Sequence, residues 1–177
     1  GMVGTFYVDD VQLEKSEGPS AYNLLENGDF QVGSSHVNWT VNEKGVLATG
    51  VGVGVSREDI VAQTYPGAKA MSFTNTIQEE YALVYQVVPI NKAGAQSYVL
   101  SGWAMADAVP DNVTSRYDTA IDHQKQFGLR AIVNYSNGTQ DYFYVPFNTD
   151  ITGWQYASLA VKPTSTTKTV STITVYC

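Results

Sequence analysis

The stretch that decides the fold is Phe127–Tyr135, followed by the turn Ser136-Asn137-Gly138 and then by Gln140–Phe147. Both flanks are rich in aromatic and β-branched residues, with polar residues interspersed, which is typical of β-strands. The Asn-Gly pair between them tolerates the positive φ angles of a type I′ turn. The stretch therefore predicts a β-hairpin.

Similar strand patterns recur along the rest of the chain, and long helical periods are missing. Strands are predicted at Phe6–Leu13, Val46–Ser56, Lys69–Asn75, Tyr81–Ile90, Ser97–Ala106, Trp154–Val161 and Val170–Tyr176. This density of short strands predicts an all-β sandwich or barrel with roughly nine or ten strands. Two segments differ: Ser56–Gln63 favours one or two helical turns, and Asp107–Gln126 is predicted to be a long loop of the kind that often carries function.

Composition narrows the class of protein. The chain has 177 residues, of which 44% are hydrophobic and 15% charged, and its net charge is −7. These values fit one globular domain with a packed core. The negative charge makes nucleic acid and anionic membranes poor partners, and no apolar run is long enough for membrane insertion. The single cysteine, Cys177, excludes a disulfide within the chain.

Four segments carry a family resemblance. Tyr22–Phe30 (YNLLENGDF) resembles the opening strand, and Thr5–Glu14 (TFYVDDVQLE) the closing strand, of carbohydrate-binding-module-like β-sandwiches with the galactose-binding jelly-roll fold. Tyr98–Ala104 and Gly153–Tyr156 look like middle strands of the same modules. The motifs are similar to modules of bacterial cell-wall-associated surface proteins of the Rhs or YD-repeat type. The resemblance implies a jelly-roll β-sandwich of two antiparallel sheets and an extracellular or cell-wall location in a bacterium.

The closing motif precedes the opening motif, as at a boundary in a tandem array. We therefore expect residues 1–20 to be the closing strand of a preceding module plus a linker, and residues 21–177 to be the next module, cut from a longer protein before its own closing strand. Residues 5–14 are then predicted to complete its sheet beside Asn23–Phe30, with neighbouring modules of the same chain as partners. The same strand would give a strand-swapped dimer if it paired with another copy.

The resemblance also implies a structural calcium site and no other cofactor. Asp9 matches the closing-strand ligand, and Gln31 stands where the family usually has a glutamate. An amide is a weaker ligand for calcium than a carboxylate. The alternative is that Asp9 and Asp10 are solvated acids whose side chains diverge on the strand.

Candidate ligand-binding residues are aromatic and polar side chains that share a strand face. Tyr142 and Tyr144 are predicted to lie on an outer sheet surface, where Arg130, Asn134 and Gln86 would complete a shallow groove. Trp103 is a further candidate, although both faces of its strand are apolar, whereas Trp39 and Trp154 are expected in the core. The alternative for the groove is ordinary cross-strand pairing on a solvated sheet.

Catalytic signals are few. The chain has two histidines, no recognisable nucleophile elbow, and no marked carboxylate pair. The sequence therefore favours a non-catalytic module that binds a glycan or another cell-surface ligand. The alternatives are a structural spacer or adhesion module without a small-molecule ligand and, more distantly, a jelly-roll glycoside hydrolase.

Overall fold

The structure is a computed structural model, and it describes residues 4–16, 22–32, 36–44, 53–59, 69–75, 81–94, 96–106, 127–148 and 150–177. The strands of these residues are β1 (Gly4–Lys15), β2 (Thr40–Lys44), β3 (Val53–Asp59), β4 (Lys69–Asn75), β5 (Tyr81–Ala93), β6 (Tyr98–Ala106), β7 (Gly128–Tyr135), β8 (Gln140–Pro146), β9 (Gln155–Val161) and β10 (Thr169–Tyr176). The described residues contain no helix of the length and apolarity that crossing a membrane requires.

The strands form two five-stranded sheets, which pack face to face. The first sheet has the order β3-β4-β1-β6-β9 and the second the order β2-β5-β10-β7-β8. Every pairing is antiparallel. The chain crosses between the sheets at most of its connections, so that the apolar faces of both sheets bury one core. The predicted all-β jelly-roll sandwich is confirmed.

The hairpin predicted at Ser136-Asn137-Gly138 joins β7 to β8, but its turn differs from the predicted type. Gly138 has φ +84°, whereas Asn137 is not among the residues with positive φ. The Gly138 N–H donates to the Tyr135 carbonyl, and the Tyr135 N–H donates to the Thr139 carbonyl. This is the three-residue loop in which a type I turn is followed by a left-handed glycine.

Strand β1 lies in the middle of the first sheet, between β4 and β6. Its inward alternation changes phase, because Phe6 and Val8 are buried on one side of a bulge and Val11 and Leu13 on the other. The extra residue is Asp10, whose φ is +51°. The bulge lets all four apolar side chains reach the core, which a regular strand would not allow.

The segment after β1 was predicted to be a neighbouring strand, but it is a series of turns. Asn27 and Phe30 have φ +51° and +52°, values that an extended strand does not contain. The segment is still bonded to β1, since the Val11 N–H donates to the Gly28 carbonyl and the Leu24 N–H donates to the Leu13 carbonyl. Whether β1 belongs to a preceding module stays a prediction.

Trp39 is 5% exposed and packs against Phe30 with ring centroids 5.4 Å apart, so its predicted place in the core is confirmed.

The helical turns predicted from Ser56 are wrong over the first four residues, because β3 extends to Asp59. The backbone of these four residues pairs with β4, and this strand pairing overrides the helix-capping preference of Ser56. The predicted loop Asp107–Gln126 lies outside the described residues.

Candidate functional site on the outer face of the second sheet

The outer face of the second sheet carries a row of large side chains in register across four strands. Tyr144 of β8 is paired with Arg130 of β7, Arg130 with Tyr176 of β10, and Tyr176 with Tyr85 of β5. We call these four residues the tyrosine row. Since neighbouring strands lie about 4.8 Å apart, the row spans about 14 Å across the sheet.

Contacts along the row hold its rings together. The guanidinium carbon of Arg130 lies 4.1 Å from the centroid of the Tyr176 ring. The rings of Tyr176 and Tyr85 are tilted, with centroids 5.5 Å apart. Burial lowers the pKa of Arg130, but an arginine remains a cation at any physiological pH. Its Nε is buried and has no hydrogen-bond partner in the described structure.

Tyr144 is positioned by a glycine. A Cβ at Gly128 would lie 2.5 Å from the Tyr144 hydroxyl and 2.6 Å from its ring, so the ring occupies the space that any other residue would fill. The hydroxyl donates to the Phe127 carbonyl at 3.2 Å. Burial raises the pKa of Tyr144, which keeps the phenol neutral and able to donate.

A second row beside the first forms a trough. Its members are Tyr142 of β8, Ile132 of β7, Thr174 of β10 and Val87 of β5. Tyr142 and Val87 are 48% and 50% exposed, whereas Ile132 and Thr174 between them are 8% and 7% exposed. The middle of the face is therefore shielded and its two sides are open.

Asn134 lies on the same face, as the sequence predicts, but its amide is bonded within the protein. The Nδ2 atom donates to the hydroxyls of Thr172 and Thr174 at 3.0 and 3.2 Å. The Oδ1 atom accepts from Gln140 Nε2 at 2.7 Å. Asn134 therefore joins three strands and leaves Arg130 and the tyrosines as the main candidates for contact with a ligand.

Gln86 does not join the other candidates, because it lies on the opposite face of β5. It is paired with the buried Val175. Its Oε1 accepts from the Glu26 N–H at 2.8 Å, and its Nε2 donates to the carbonyls of Glu26 and Asn38 at 2.9 and 3.0 Å. The Gln86 amide thus fastens the segments that contain Glu26 and Asn38 to the sheet edge.

Trp103 lies on the other side of the molecule, on the outer face of the first sheet. Leu100, Ala104 and their inward neighbours are buried, which leaves Trp103 and Met105 on the outside. The Trp103 ring packs against Tyr156, with centroids 5.4 Å apart. This small aromatic surface is separate from the tyrosine row.

The predicted calcium ligands lie near the β1 bulge. Asp9 is 1% exposed, and its Oδ1 accepts from the Asp10 N–H at 2.8 Å. Burial, together with the nearby charges of Asp10 and Asp29, raises the pKa of Asp9 to about 7 even though that hydrogen bond lowers it. The Gln31 Nε2 donates to the carbonyls of Asp29 and Lys69 at 2.7 and 3.2 Å.

Asp9 and Gln31 would be two of the ligands of a calcium ion. Calcium takes six to eight oxygen ligands. Among the described residues there is no group of three or more His, Cys, Asp or Glu side chains arranged to hold a metal. Calcium binding at Asp9 and Gln31 therefore stays a prediction from the resemblance.

The sequence missed Tyr85, Tyr176 and Val87 as members of this face. The alternation within β5 and β10 places each on one face of its own strand, so a partial signal was available. The pairing of β10 with both β5 and β7 was not visible, because those strands are far apart in the chain. This pairing brings the three residues to Arg130.

Comparisons with known proteins support the fold. No protein-family model and no curated protein matches the chain. A solved structure that resembles it is the enzymatically active domain of tailspike protein 4 of bacteriophage CBA120, with a TM-score of 0.53 and 16% identity. The match covers 87% of this chain and 19% of that chain, so this protein spans about a fifth of its neighbour's length. At this identity the likeness shows the fold alone.

This comparison corrects one expectation from the sequence. The scarcity of catalytic motifs led to the prediction that the chain is not an enzyme. That prediction is contradicted, because the neighbour that shares this fold is described as enzymatically active. A scarcity of catalytic motifs does not exclude enzymatic activity, because residues far apart in sequence can meet on a β-sandwich without forming a recognisable sequence pattern.

Proposed function

We propose that this chain is a carbohydrate-binding β-sandwich module whose binding surface is the tyrosine row with its adjoining trough. The observation that carries the proposal is the in-register series of Tyr144, Arg130, Tyr176 and Tyr85 on a half-buried outer sheet face. A binding role for this face is compatible with an enzyme as well as with a module that has no chemistry of its own.

The chemistry of the face suits a sugar chain. Pyranose rings present flat C–H surfaces that pack on aromatic rings, and their hydroxyls need hydrogen-bond partners at the rim. Tyrosine offers both a ring and a hydroxyl, at a low cost in conformational entropy. A trough about 14 Å across, with open sides and a shielded floor, would admit an extended ligand. Such a ligand would place the module outside the cell, as the family resemblance also implies.

A glycan-array screen with and without calcium tests this proposal, using two matched variants. Tyr142 and Tyr156 are 48% and 54% exposed, and they lie on the outer faces of opposite sheets. We expect the wild type to bind one class of sugar, Tyr142→Ala to weaken that binding, and Tyr156→Ala to leave it unchanged. Loss only in Tyr156→Ala would move the site to the Trp103 surface, and equal losses in both variants would contradict a site confined to the second sheet.

A structural spacer is the second candidate, and one observation favours it. Gln86 and Asn134 were both expected to contact a ligand, yet their amides are bonded to neighbouring strands and loops. A spacer needs such internal bonds and no open binding face. Silence of the folded wild type across plant, host and wall glycans would support the spacer and reject the carbohydrate proposal.

A further inference from the structure

Resting on the proposed function, we propose that the tyrosine row selects an acidic saccharide, one whose sugar rings carry carboxylates, and that Arg130 is the residue that recognises the charge. The tyrosines would hold the sugar rings, whereas the guanidinium would distinguish a uronic acid from its neutral counterpart. This assigns the class of ligand to a face that otherwise fits many sugars.

Arg130 has an unusual electrostatic setting. It is the one charged group among the side chains that the structure describes on this face, because all the other described members are uncharged. Within the described part of the chain, the groups that favour its charged form are the side chains of Tyr176 and Tyr142, and no carboxylate is among them. A half-buried cation without a counter-ion has lost part of its hydration, so a ligand that supplies an anion would compensate for that loss.

The orientation of the guanidinium leaves it able to bind such an anion. A guanidinium carbon 4.1 Å above the Tyr176 centroid fixes the head group against the ring. Contact of the guanidinium with the face of a ring leaves its N–H groups that point away from the ring able to donate hydrogen bonds. A carboxylate accepts two hydrogen bonds side by side from one guanidinium, so the N–H groups that the Tyr176 ring does not cover suit a ligand carboxylate.

The net charge of −7 opposes anion binding only weakly at this position. At physiological ionic strength, exposed charges more than about 8 Å away are largely screened, while a short contact with a half-buried cation is not. An acid adjoins one side of the trough, because Glu26 lines a hollow together with Tyr85 and Val87. It is held at the β5 edge by Gln86 and accepts a hydrogen bond from Asn38. Selectivity for an acidic saccharide therefore depends on the contact with Arg130 and not on the net charge of the protein.

Calorimetric titration with a hexasaccharide of galacturonic acid tests the inference. The same hexasaccharide with all its carboxylates methyl-esterified serves as the neutral match. We expect the wild type to bind the acid at least about tenfold more tightly than the ester, which is the scale of one charge-assisted hydrogen bond. We expect Arg130→Gln to remove that preference and Arg130→Lys to restore part of it.

Lys168→Gln is the control variant, because it also removes one positive charge. The Lys168 Nζ atom lies 5.3 Å from the centroid of the Tyr135 ring and donates to the Thr139 hydroxyl, near the turn between β7 and β8. The Lys168→Gln variant should keep the full wild-type preference for the acid over the ester. A loss of preference equal to that of Arg130→Gln would mean that net charge, and not the Arg130 contact, discriminates, and would overturn the inference.

The remaining outcomes separate this inference from the proposed function. Equal affinity of the wild type for acid and ester overturns the inference and leaves a carbohydrate-binding face. Binding of sulfated saccharides without binding of the uronate overturns the carboxylate class, and so does binding of neutral array glycans alone. Silence toward every saccharide overturns both proposals. If Arg130→Gln fails to fold, the comparison of acid and ester on the wild type and on Arg130→Lys decides the question.

Discussion

Asn23 is bonded through its side-chain amide to Val11, with Asn23 Nδ2 donating to the Val11 carbonyl at 2.8 Å. The Oδ1 atom of the same amide accepts from the Leu13 N–H at 2.9 Å and from the Leu25 N–H at 3.0 Å. One side chain thus satisfies three backbone groups beside the β1 bulge. It fastens the turn-rich segment to the central strand of the first sheet.

Replacing Asn23 by alanine should therefore destabilise the fold. Three backbone groups in a partly buried place would lose their partners, which we expect to cost about 2–4 kcal/mol of unfolding free energy. Urea unfolding followed by tryptophan fluorescence measures this loss. Asn42→Ala is the matched control, because Asn42 is exposed on β2, and it should change stability by less than about 0.5 kcal/mol. Equal stabilities of the two variants would contradict the role given to Asn23.

Gly28 should not tolerate a side chain. A Cβ there would lie 2.1 Å from the Val11 carbonyl oxygen and 2.8 Å from Asn23 Nδ2. Because the first of these atoms is backbone, the chain itself would have to move, and Gly28→Ala should lower the unfolding free energy by about 1–3 kcal/mol. At Gly153 a Cβ would meet no atom within 4 Å, so Gly153→Ala should unfold like the wild type. A wild-type melting temperature for Gly28→Ala would contradict this packing.

The hairpin at Ser136-Asn137-Gly138 illustrates what the sequence makes predictable. Alternation and a turn signal are local, so strand existence, the sandwich class and the outward direction of Tyr142 and Tyr144 were all accessible. The turn type was missed, because whether Asn137 or only Gly138 adopts a positive φ depends on how the two strands pair.

The tyrosine row illustrates what was not predictable. It needs β10 between β5 and β7, and this order depends on pairings between residues about 40 and 90 positions apart. The prediction that Gln86 belongs to the groove was wrong for a related reason. Its amide binds the backbone of Glu26 and Asn38, and the sequence does not show that these residues lie beside it. The β1 bulge likewise changes which side chains face inward, and Asp10 gives no clear local sign of it.

Burial of Asp9 predicts a pH-dependent stability. Its pKa is raised to about 7 in the folded chain, above the ordinary value of 3.8. The folded state therefore keeps a proton that the unfolded state releases. The contribution of Asp9 is fully favourable below about pH 4, falls as the pH rises toward 7, and is constant above that.

Asp9→Asn removes this titration while nearly preserving size. In the presence of EDTA we expect the variant to match the wild type near pH 4. Above pH 7 it should be more stable, by up to about 4 kcal/mol. Urea unfolding at several pH values measures the difference between the two proteins. A difference that stays constant from pH 4 to pH 8 would show that Asp9 titrates normally.

Removal of β1 should prevent the first sheet from forming. The strand is hydrogen-bonded on both sides, to β4 and to β6, and it contributes Phe6, Val8, Val11 and Leu13 to the core. We expect the chain without residues 1–15 to aggregate or to lose its cooperative melting transition. Removal of residues 1–3 alone takes away no residue of β1 and serves as the control. An unchanged melting temperature without residues 1–15 would contradict the central place of this strand.

The most direct test of the proposed binding face is an NMR titration of the labelled wild-type chain with the sugar that it binds best. We expect the shifted resonances to cluster at Tyr85, Arg130, Tyr144 and Tyr176, with Trp103 and Tyr156 unchanged as internal references on the other sheet. Shifts concentrated at Trp103 and Tyr156, with the resonances of the tyrosine row unchanged, would contradict the proposed binding face.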